Sequence, residues 1–211
     1  WMVFMDKPKN WPEGVPHSLE YPEIPIYSLL DESTEKHPNA TAIIFQDKRI
    51  SYLELKDAVD RFATALQQMG VAPKDKVALF LPNAPQFVIS YYGALKAGAI
   101  ITTISPLYKE REVVHQIHDS GAETLVVLDV LFPEVENVLD DLKLKHVIIT
   151  GIKDYLPTAK RILGSLLGRV PSYDAKMGEN MHQFTDLLKN YSPSPETVEI
   201  DPKEDLALLQ Y

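Results

Sequence analysis

Four short apolar segments recur at a nearly constant spacing, and this pattern limits the possible fold more than any other feature of the sequence. They cover residues 77–81, 100–104, 124–128 and 146–150, so that a new segment begins every 22 to 24 residues. Strands that are apolar throughout and alternate with amphipathic helices are typical of βαβ units. The sequence therefore predicts an α/β fold, in which repeated βαβ units form a mostly parallel sheet flanked by helices.

The helices and the last strand are predicted from the remaining apolar positions. Stripes with helical spacing run through residues 88–95, 113–117 and 135–142, between the apolar segments. A short helix is expected over 182–191. The final residues, 206–211, have the apolar character of one more buried strand, which we expect to lie at or near an edge of the sheet.

The 211 residues divide into three parts of different character. Residues 1–27 contain five prolines, a density that prevents a long helix, so we predict a proline-rich N-terminal arm. Residues 28–76 contain a predicted β-hairpin followed by a helix. Residues 77–211 form the predicted parallel α/β region, which carries a basic insertion at 151–175.

The hairpin and its helix have clear local signals. The polar quartet at 46–49 separates two apolar runs and is expected to form the turn. Ser51 and Glu54 match the S-x-x-E capping box, in which each side chain accepts a hydrogen bond from a free N–H at the start of a helix. Gly70 is the expected end of that helix.

The charge balance limits which partners the chain can bind. Asp and Glu number 30 against 21 Lys and Arg, which gives a net charge of −9 at pH 7. Nucleic-acid binding needs a basic surface that displaces counterions from phosphates, so nucleic acid is excluded as a partner. The absence of cysteine excludes disulfides, zinc–thiolate sites and cysteine nucleophiles. No apolar run approaches the roughly 18 residues that span a bilayer, and no signal peptide is visible, so we expect a cytoplasmic protein.

Titratable side chains form no recognisable catalytic or metal-binding pattern. His115 and His118 lie three residues apart on one predicted helix but off its apolar stripe, and we interpret them as solvent-facing. The motifs G-x-G-x-x-G, G-x-x-x-x-G-K-[ST] and G-x-S-x-G are all absent. We assign no catalytic residue and no metal ligand, and a stand-alone flavodoxin-like binding module remains one interpretation.

Residues 153–170 reverse the acidic character of the chain. Lys160, Arg161 and Arg169 accompany several leucines in this stretch. One interpretation is a peripheral membrane contact, in which the cations meet anionic head groups and the leucines enter the interface. The other is an ordinary surface helix whose leucines pack on the sheet.

Three segments in order resemble the adenylate-forming superfamily of acyl-CoA synthetases, luciferases and peptide-synthetase adenylation domains. The sequence I-S-Y-L-E-L at 50–55 is similar to the first core motif of that family, and L-K-A-G-A at 95–99, with the following Ser105 and Pro106, is similar to the second. D-L-A-L-L-Q-Y at 205–211 resembles the strand that leads into the phosphate loop of the third. The chain would then be part of the large N-terminal domain of the adenylate-forming fold.

Within that superfamily the chain looks most like the long-chain fatty-acid–CoA ligases. The proline-rich W-P-E-G-V-P at 11–16, the L-P-N at 81–83 and the basic apolar segment at 158–171 are similar to features of those enzymes. The resemblance implies fatty acid, ATP, Mg²⁺ and CoA as reactants, with acyl-CoA, AMP and pyrophosphate formed through an acyl-adenylate. A ligase for aromatic or short-chain acids is the alternative within the superfamily.

The resemblance places few functional residues on this chain. Tyr211 would lie against the phosphate loop, and Pro106, Leu107 and Tyr108 correspond to a stretch near the coenzyme A nucleotide. Lys96 and Gly98 belong to the second motif, with packing of a helix end as their expected role. Because the phosphate loop and the catalytic motifs would follow Tyr211, we expect these 211 residues alone to be an inactive N-terminal fragment that binds none of the cofactors well.

Overall fold

The computed structural model describes residues 11–16, 18–158, 160, 161, 163 and 170–211. In this part of the chain the helices are Ser28–Lys36 (α1), Tyr52–Gln68 (α2), Pro85–Lys96 (α3), Glu110–Ser120 (α4), Pro133–Glu136 (α5), Leu139–Leu142 (α6) and Phe184–Asn190 (α7). The strands are Thr41–Phe45 (β1), Lys48–Ser51 (β2), Lys76–Phe80 (β3), Ile100–Thr103 (β4), Thr124–Leu128 (β5), His146–Thr150 (β6), Met181–Gln183 (β7) and Leu208–Leu209 (β8).

The six strands β3 to β8 form one sheet in the order β7-β6-β5-β3-β4-β8, and every neighbouring pair is parallel. The first strand of the sheet, β3, lies between β4 and β5, with Val77 opposite both Ile101 and Thr124. The four predicted strands are confirmed within one residue, and so is the edge position of the last strand. The predicted α/β fold with a mostly parallel sheet is therefore confirmed.

Helices cover both faces of this sheet, as its fully apolar strands require. Successive residues of β3 enter opposite cores: Val77 and Leu79 pack with α1, α2, α3 and α7, whereas Ala78 and Phe80 pack with α4, α5 and α6. Because a strand alternates its side chains between the two faces, a strand buried on both sides is predominantly apolar.

The hairpin turn is tighter than predicted. Gln46 and Asp47 both have positive φ angles, 50° and 72°, so they form a two-residue turn, and Lys48 and Arg49 belong to β2 rather than to the turn. Positive φ at both central positions suits the twist of a hairpin. The capping box of α2 is confirmed: Ser51 Oγ accepts from Glu54 N at 3.2 Å, and Glu54 Oε2 accepts from Ser51 N at 2.8 Å.

Two predicted helices differ from the structure. The apolar stripe at 135–142 is divided between two single-turn helices, α5 and α6, because Val138 leaves the helical conformation with φ −120° and ψ 11°. Its buried positions, Val135 and Leu142, still face the core. Residues 182–191 are not all helical, since β7 takes the first two of them into the sheet before α7 begins.

Lys96 at the end of α3 joins three helices through an ion cluster. Its Nζ lies 2.8 Å from Asp31 Oδ1 of α1 and 2.7 Å from Asp60 Oδ1 of α2. Lys56 adds a second cation, 2.5 Å from Asp60 Oδ2. The Asp60 side chain is only 8% exposed, so it depends on these two cations for its charge compensation. The expected packing role of Lys96 is thus an electrostatic one.

Gly98, the other residue of that motif, has φ +83° at the turn after α3. A Cβ atom there would lie 2.8 Å from Val198 Cγ1, so the turn needs glycine for both its conformation and its space.

We expect Lys96→Met to destabilise the fold by at least about 2 kcal/mol. Removing one partner of a buried ion pair costs ~3–5 kcal/mol, and the remaining Lys56 keeps the loss toward the lower side. The matched control is Lys36→Met, which removes an exposed pair with Glu32 at 3.2 Å and should cost only about 0.3–0.5 kcal/mol. Urea denaturation of the two variants measures both losses, and equal losses would contradict the proposed role of the cluster.

Candidate functional site

A crevice opens at the carboxyl edge of the sheet, where β3, β4 and β8 end. All parallel strands end at the same edge, so the loops that follow them meet there. The crevice contains about 570 Å³ of open space. Its aromatic walls are Phe87, Tyr108 and Tyr211, and its polar side chains include Asn83, Ser105 and Gln116. Flat apolar walls with a few polar groups are the usual composition of a small-molecule site.

The loop after β4 forms one wall as a tight turn. Tyr108 N donates to Ser105 O at 2.9 Å, and Leu107 N lies 3.4 Å from Ser105 Oγ. Pro106 and Tyr108 line the crevice, whereas Leu107 is 87% exposed and does not line it. Two of the three residues that the resemblance indicated in this loop are therefore at the crevice, and the third projects into solvent.

Gln116 of α4 is the residue at the crevice that the sequence prediction missed. It is 2% exposed, and its Nε2 donates to Thr102 Oγ1 at 2.8 Å and to Thr103 O at 2.9 Å. Its Oε1 is buried and has no hydrogen-bond partner among the described residues. Because the amide N–H groups are held by β4, the carbonyl oxygen remains a fixed, unused acceptor.

A sequence signal for Gln116 exists. It lies three residues after Val113 and directly before Ile117, at a position of the buried stripe of α4. A polar side chain at such a position must find partners inside the protein or bind something there.

The first turns of α4 extend the crevice outward. Arg111, Glu112 and His115 line this outer part together with Tyr108 and Gln116. Helix N-termini favour anions, and Arg111 adds a positive charge here, whereas Glu110 and Glu112 of the same turn add negative ones. His115 is exposed, as predicted, and it faces this space. Arg111 is therefore the side chain of the outer crevice that could pair with a phosphate group.

Tyr211 closes the side of the crevice that faces β8. Its hydroxyl donates to Asp119 Oδ2 at the far end of α4, at 2.6 Å. This hydrogen bond to a carboxylate raises the pKa of Tyr211, so the side chain stays a neutral donor at physiological pH. Tyr211 thus ties the end of β8 to the helix that carries Gln116.

On the other side of β3, the ends of β5 and β6 are filled by the protein itself. Gln86, at the start of α3, is fully buried and donates from Nε2 to Gly151 O at 2.8 Å. Asp129 is 4% exposed, and its burial raises the pKa of its carboxyl group. A Cβ atom on Gly151 would lie 3.0 Å from Asp129 Oδ2, so little space remains. The crevice consequently lies to one side, over β3, β4 and β8.

The basic segment meets the hairpin turn. Lys160 Nζ donates to Gln46 O at 3.1 Å and forms an ion pair with Asp47, which lowers the pKa of the Asp47 carboxyl group. Arg161 is exposed, and Arg169 lies outside the described residues. No helix in the described part of the chain is long and apolar enough to cross a membrane.

No group of three or more His, Cys, Asp or Glu side chains within the described ranges could hold a metal ion.

Comparison with known proteins identifies the family. Residues 30–211 match the family of AMP-binding enzymes. The chain is 36% identical to a long-chain-fatty-acid–CoA ligase of Bacillus subtilis (strain 168) over 213 aligned residues, which cover 98% of this chain and 38% of that protein. The chain therefore spans well under half the length of this relative.

Solved structures show the same fold. A long-chain-fatty-acid-CoA ligase from Archaeoglobus fulgidus superimposes with a TM-score of 0.75 at 26% identity, covering 96% of this chain and 37% of that one. An anthranilate CoA ligase in complex with anthranoyl-AMP gives a TM-score of 0.72 at 20% identity, over 88% of this chain and 32% of that one. With its family match over residues 30–211, the chain belongs to the AMP-binding enzymes.

Proposed function

We propose that the intact protein is an ATP-dependent long-chain fatty-acid–CoA ligase and that these 211 residues form an N-terminal portion of it. The observation that carries this proposal is the 36% identity to the Bacillus subtilis ligase over 98% of the chain. Identity at this level over nearly the whole chain favours a shared reaction over a shared fold alone.

The proposed reaction has two steps. A fatty-acid carboxylate oxygen attacks the α-phosphorus of ATP, and pyrophosphate leaves, giving the acyl-adenylate. The thiol of CoA, losing its proton, then attacks the acyl carbonyl carbon, and AMP leaves with the electron pair of the C–O bond. The first step is needed because a carboxylate is a poor electrophile, whereas AMP is a good leaving group.

The crevice is the proposed contact site for the nucleotide end of CoA. Three observations support this assignment. The aromatic side chains Phe87 and Tyr108 offer stacking surfaces for a base, Gln116 Oε1 offers a buried acceptor for an N–H or O–H group, and Arg111 at the start of α4 offers charge for a phosphate. Leu107, which is exposed beside them, is proposed to make an apolar contact with CoA at the rim of the crevice.

Tyr211 is proposed to lie beside the ATP phosphates, with Mg²⁺ as the ion that accompanies ATP. Its support is its place at the carboxyl end of β8, next to the crevice. No residue of this chain is assigned to Mg²⁺, since no cluster of three or more His, Cys, Asp or Glu side chains in the described ranges could hold a metal ion.

A ligase for aromatic or short-chain acids is the second candidate. It stays open because an anthranilate CoA ligase shares this fold, and a shared fold does not distinguish one acyl group from another. The two candidates share the chemistry of adenylation and differ only in the acyl group.

We expect the intact protein to form acyl-CoA from palmitate, ATP and CoA with a kcat/KM at least about tenfold above that for benzoate or butyrate. Such a ratio corresponds to ~1.4 kcal/mol of difference in transition-state binding. The measurement is AMP release with each acid in turn. A preference for benzoate or butyrate would support the second candidate, and AMP release with none of the acids would contradict both.

Gln116→Leu should raise the KM for CoA by about five- to tenfold. The loss of one neutral hydrogen bond, ~1–1.5 kcal/mol, accounts for this range. Acyl-adenylate formation, measured by ATP–pyrophosphate exchange without CoA, should be nearly unchanged, which also shows that the variant folds. Gln67→Leu is the matched control, because Gln67 lies on α2 and its side-chain amide bonds to the backbone of Glu196. An unchanged KM for CoA in Gln116→Leu would contradict the proposed CoA site.

We also propose that residues 153–170 make a peripheral membrane contact. Replacing Lys160, Arg161 and Arg169 with Glu should lower binding to vesicles that contain anionic lipid by at least about tenfold, since each cation contributes ~1 kcal/mol near such a surface. The control with the same charge change is Lys36, Lys143 and Lys189 replaced with Glu. Asp47→Asn should strengthen binding, because it frees the charge of Lys160. An equal loss of vesicle binding in the test and control variants would contradict the proposed membrane contact of residues 153–170.

A further inference from the structure

Two histidines meet at the β6–β7 edge of the sheet, far along the strand order from the crevice. Ile148 lies opposite His182 in the register of these strands, and His146 lies two residues before Ile148 on the same face. The two imidazole rings are therefore diagonal neighbours. Their centroids are 5.5 Å apart, and the ring planes make an angle of 50°.

Each of these rings has an unused nitrogen. Nδ1 of His146 and Nε2 of His182 are both buried, and neither has a hydrogen-bond partner within the described ranges. Buried polar atoms in folded proteins usually have hydrogen-bond partners. Two unpartnered nitrogens on adjacent rings therefore suggest that a third group binds to both of them. A group that accepts electron pairs from both rings would satisfy them together.

An imidazole ring can supply the electron pair that such a group needs. Neutral imidazole carries one lone pair and is the form that binds metal ions.

The charges around the pair do not oppose a cation. The rings border an open cleft that is also lined by Lys145, Glu179 and Asn180. Lys145 has its charge compensated, because its Nζ lies 2.6 Å from Glu123 Oε2. Glu179 contributes a carboxylate to the same cleft. Asn180 Nδ2 is engaged with Leu144 O at 2.8 Å and holds the loop before β7 in place.

We propose that His146 and His182 form a two-imidazole site for a divalent transition-metal ion of the class Cu²⁺, Ni²⁺ and Zn²⁺, with water in the remaining positions. Imidazole is a preferred ligand of these ions, whereas Mg²⁺ and Ca²⁺ prefer oxygen. Metal–nitrogen bonds are ~2.0–2.1 Å long, and a centroid separation of 5.5 Å is compatible with one ion bonded to both rings.

Metal binding at this pair would stabilise the β7 edge of the sheet. The strand β7 has three residues, and among the described strands it pairs only with β6. An ion bound by one ring from each strand would fasten β7 to β6. Because two protein ligands are fewer than structural metal sites use, the ion would exchange with solution, and the edge would be stabilised in proportion to the metal concentration.

The test is binding of Cu²⁺ and of Ni²⁺ to the intact protein at pH 7.5, with His146→Gln and His182→Gln as single variants. We expect one equivalent of Cu²⁺ with two nitrogen donors in its electron paramagnetic resonance spectrum. Each single variant should lose one donor and bind Ni²⁺ at least about tenfold more weakly in calorimetric titration, because the second ring acts at high effective concentration. His37→Gln and His118→Gln, which alter exposed histidines elsewhere, should bind as the unaltered protein does.

Stability gives an independent readout. Ni²⁺ should raise the unfolding midpoint of the unaltered protein at pH 7.5, and it should raise the midpoints of His146→Gln and His182→Gln much less. Urea denaturation without metal shows whether each variant is folded. Unchanged Ni²⁺ affinity in both single variants, or loss of affinity in the His37 or His118 controls, would overturn the proposal.

Discussion

The position of α3 depends on the ion cluster around Lys96, and much of the molecule depends on α3. The cation lies between Asp31 and Asp60, so it fixes the end of α3 against α1 and α2 at once. One turn earlier, a Cβ atom on Gly93 would lie 2.8 Å from the ring of Phe62, which shows how closely α2 and α3 approach. The other end of α3 carries Phe87 into the crevice. A shift of this helix would therefore move a wall of the candidate site.

The strand pattern of the sequence defined the sheet well but not its order. Strands buried on both faces must be apolar throughout, which is why the segments from 77 to 150 are recognised from composition alone. The order β4-β3-β5-β6-β7 is the flavodoxin-like one, and β8 adds a sixth strand beyond β4. Topology alone would not separate this family from a flavodoxin-like module. The family match over residues 30–211 separates them.

The elements that sequence patterns missed are those too short to carry a pattern. The three residues of β7 cannot show an alternation, and two of them were included in a predicted helix although His182 faces His146 across the strands. In the same way, α5 and α6 share one apolar stripe because each needs only one buried residue, Val135 or Leu142. Secondary-structure propensity and hydrophobic periodicity can be detected only over several residues. The conformation of shorter segments is determined by tertiary packing.

The residues indicated by the family resemblance located the candidate site, whereas its hydrogen-bonding groups were identified only from the structure. Pro106, Tyr108 and Tyr211 do come together, yet the best-defined polar group beside them is Gln116, which no motif contains. Its amide is oriented by Thr102 and Thr103, two strand residues whose roles depend on the register of β4. Hydrogen bonds of this kind depend on how the helix packs on the strand, and a single sequence gives only a weak signal for them.

The acidic balance of the chain and its proposed anionic reactants are compatible for a physical reason. Nucleic acid is a long array of phosphates, and its binding needs positive charge spread over a wide surface, which a net charge of −9 opposes. A nucleotide has a few phosphates and needs only a local donor set. At the crevice Arg111 supplies a positive charge in the first turn of α4, where Glu110 and Glu112 supply negative ones. Charges that lie farther away than about one screening length are largely screened there. The acidic balance of these residues therefore favours a nucleotide over a polyanion as the partner, because a nucleotide needs only a local positive group such as Arg111.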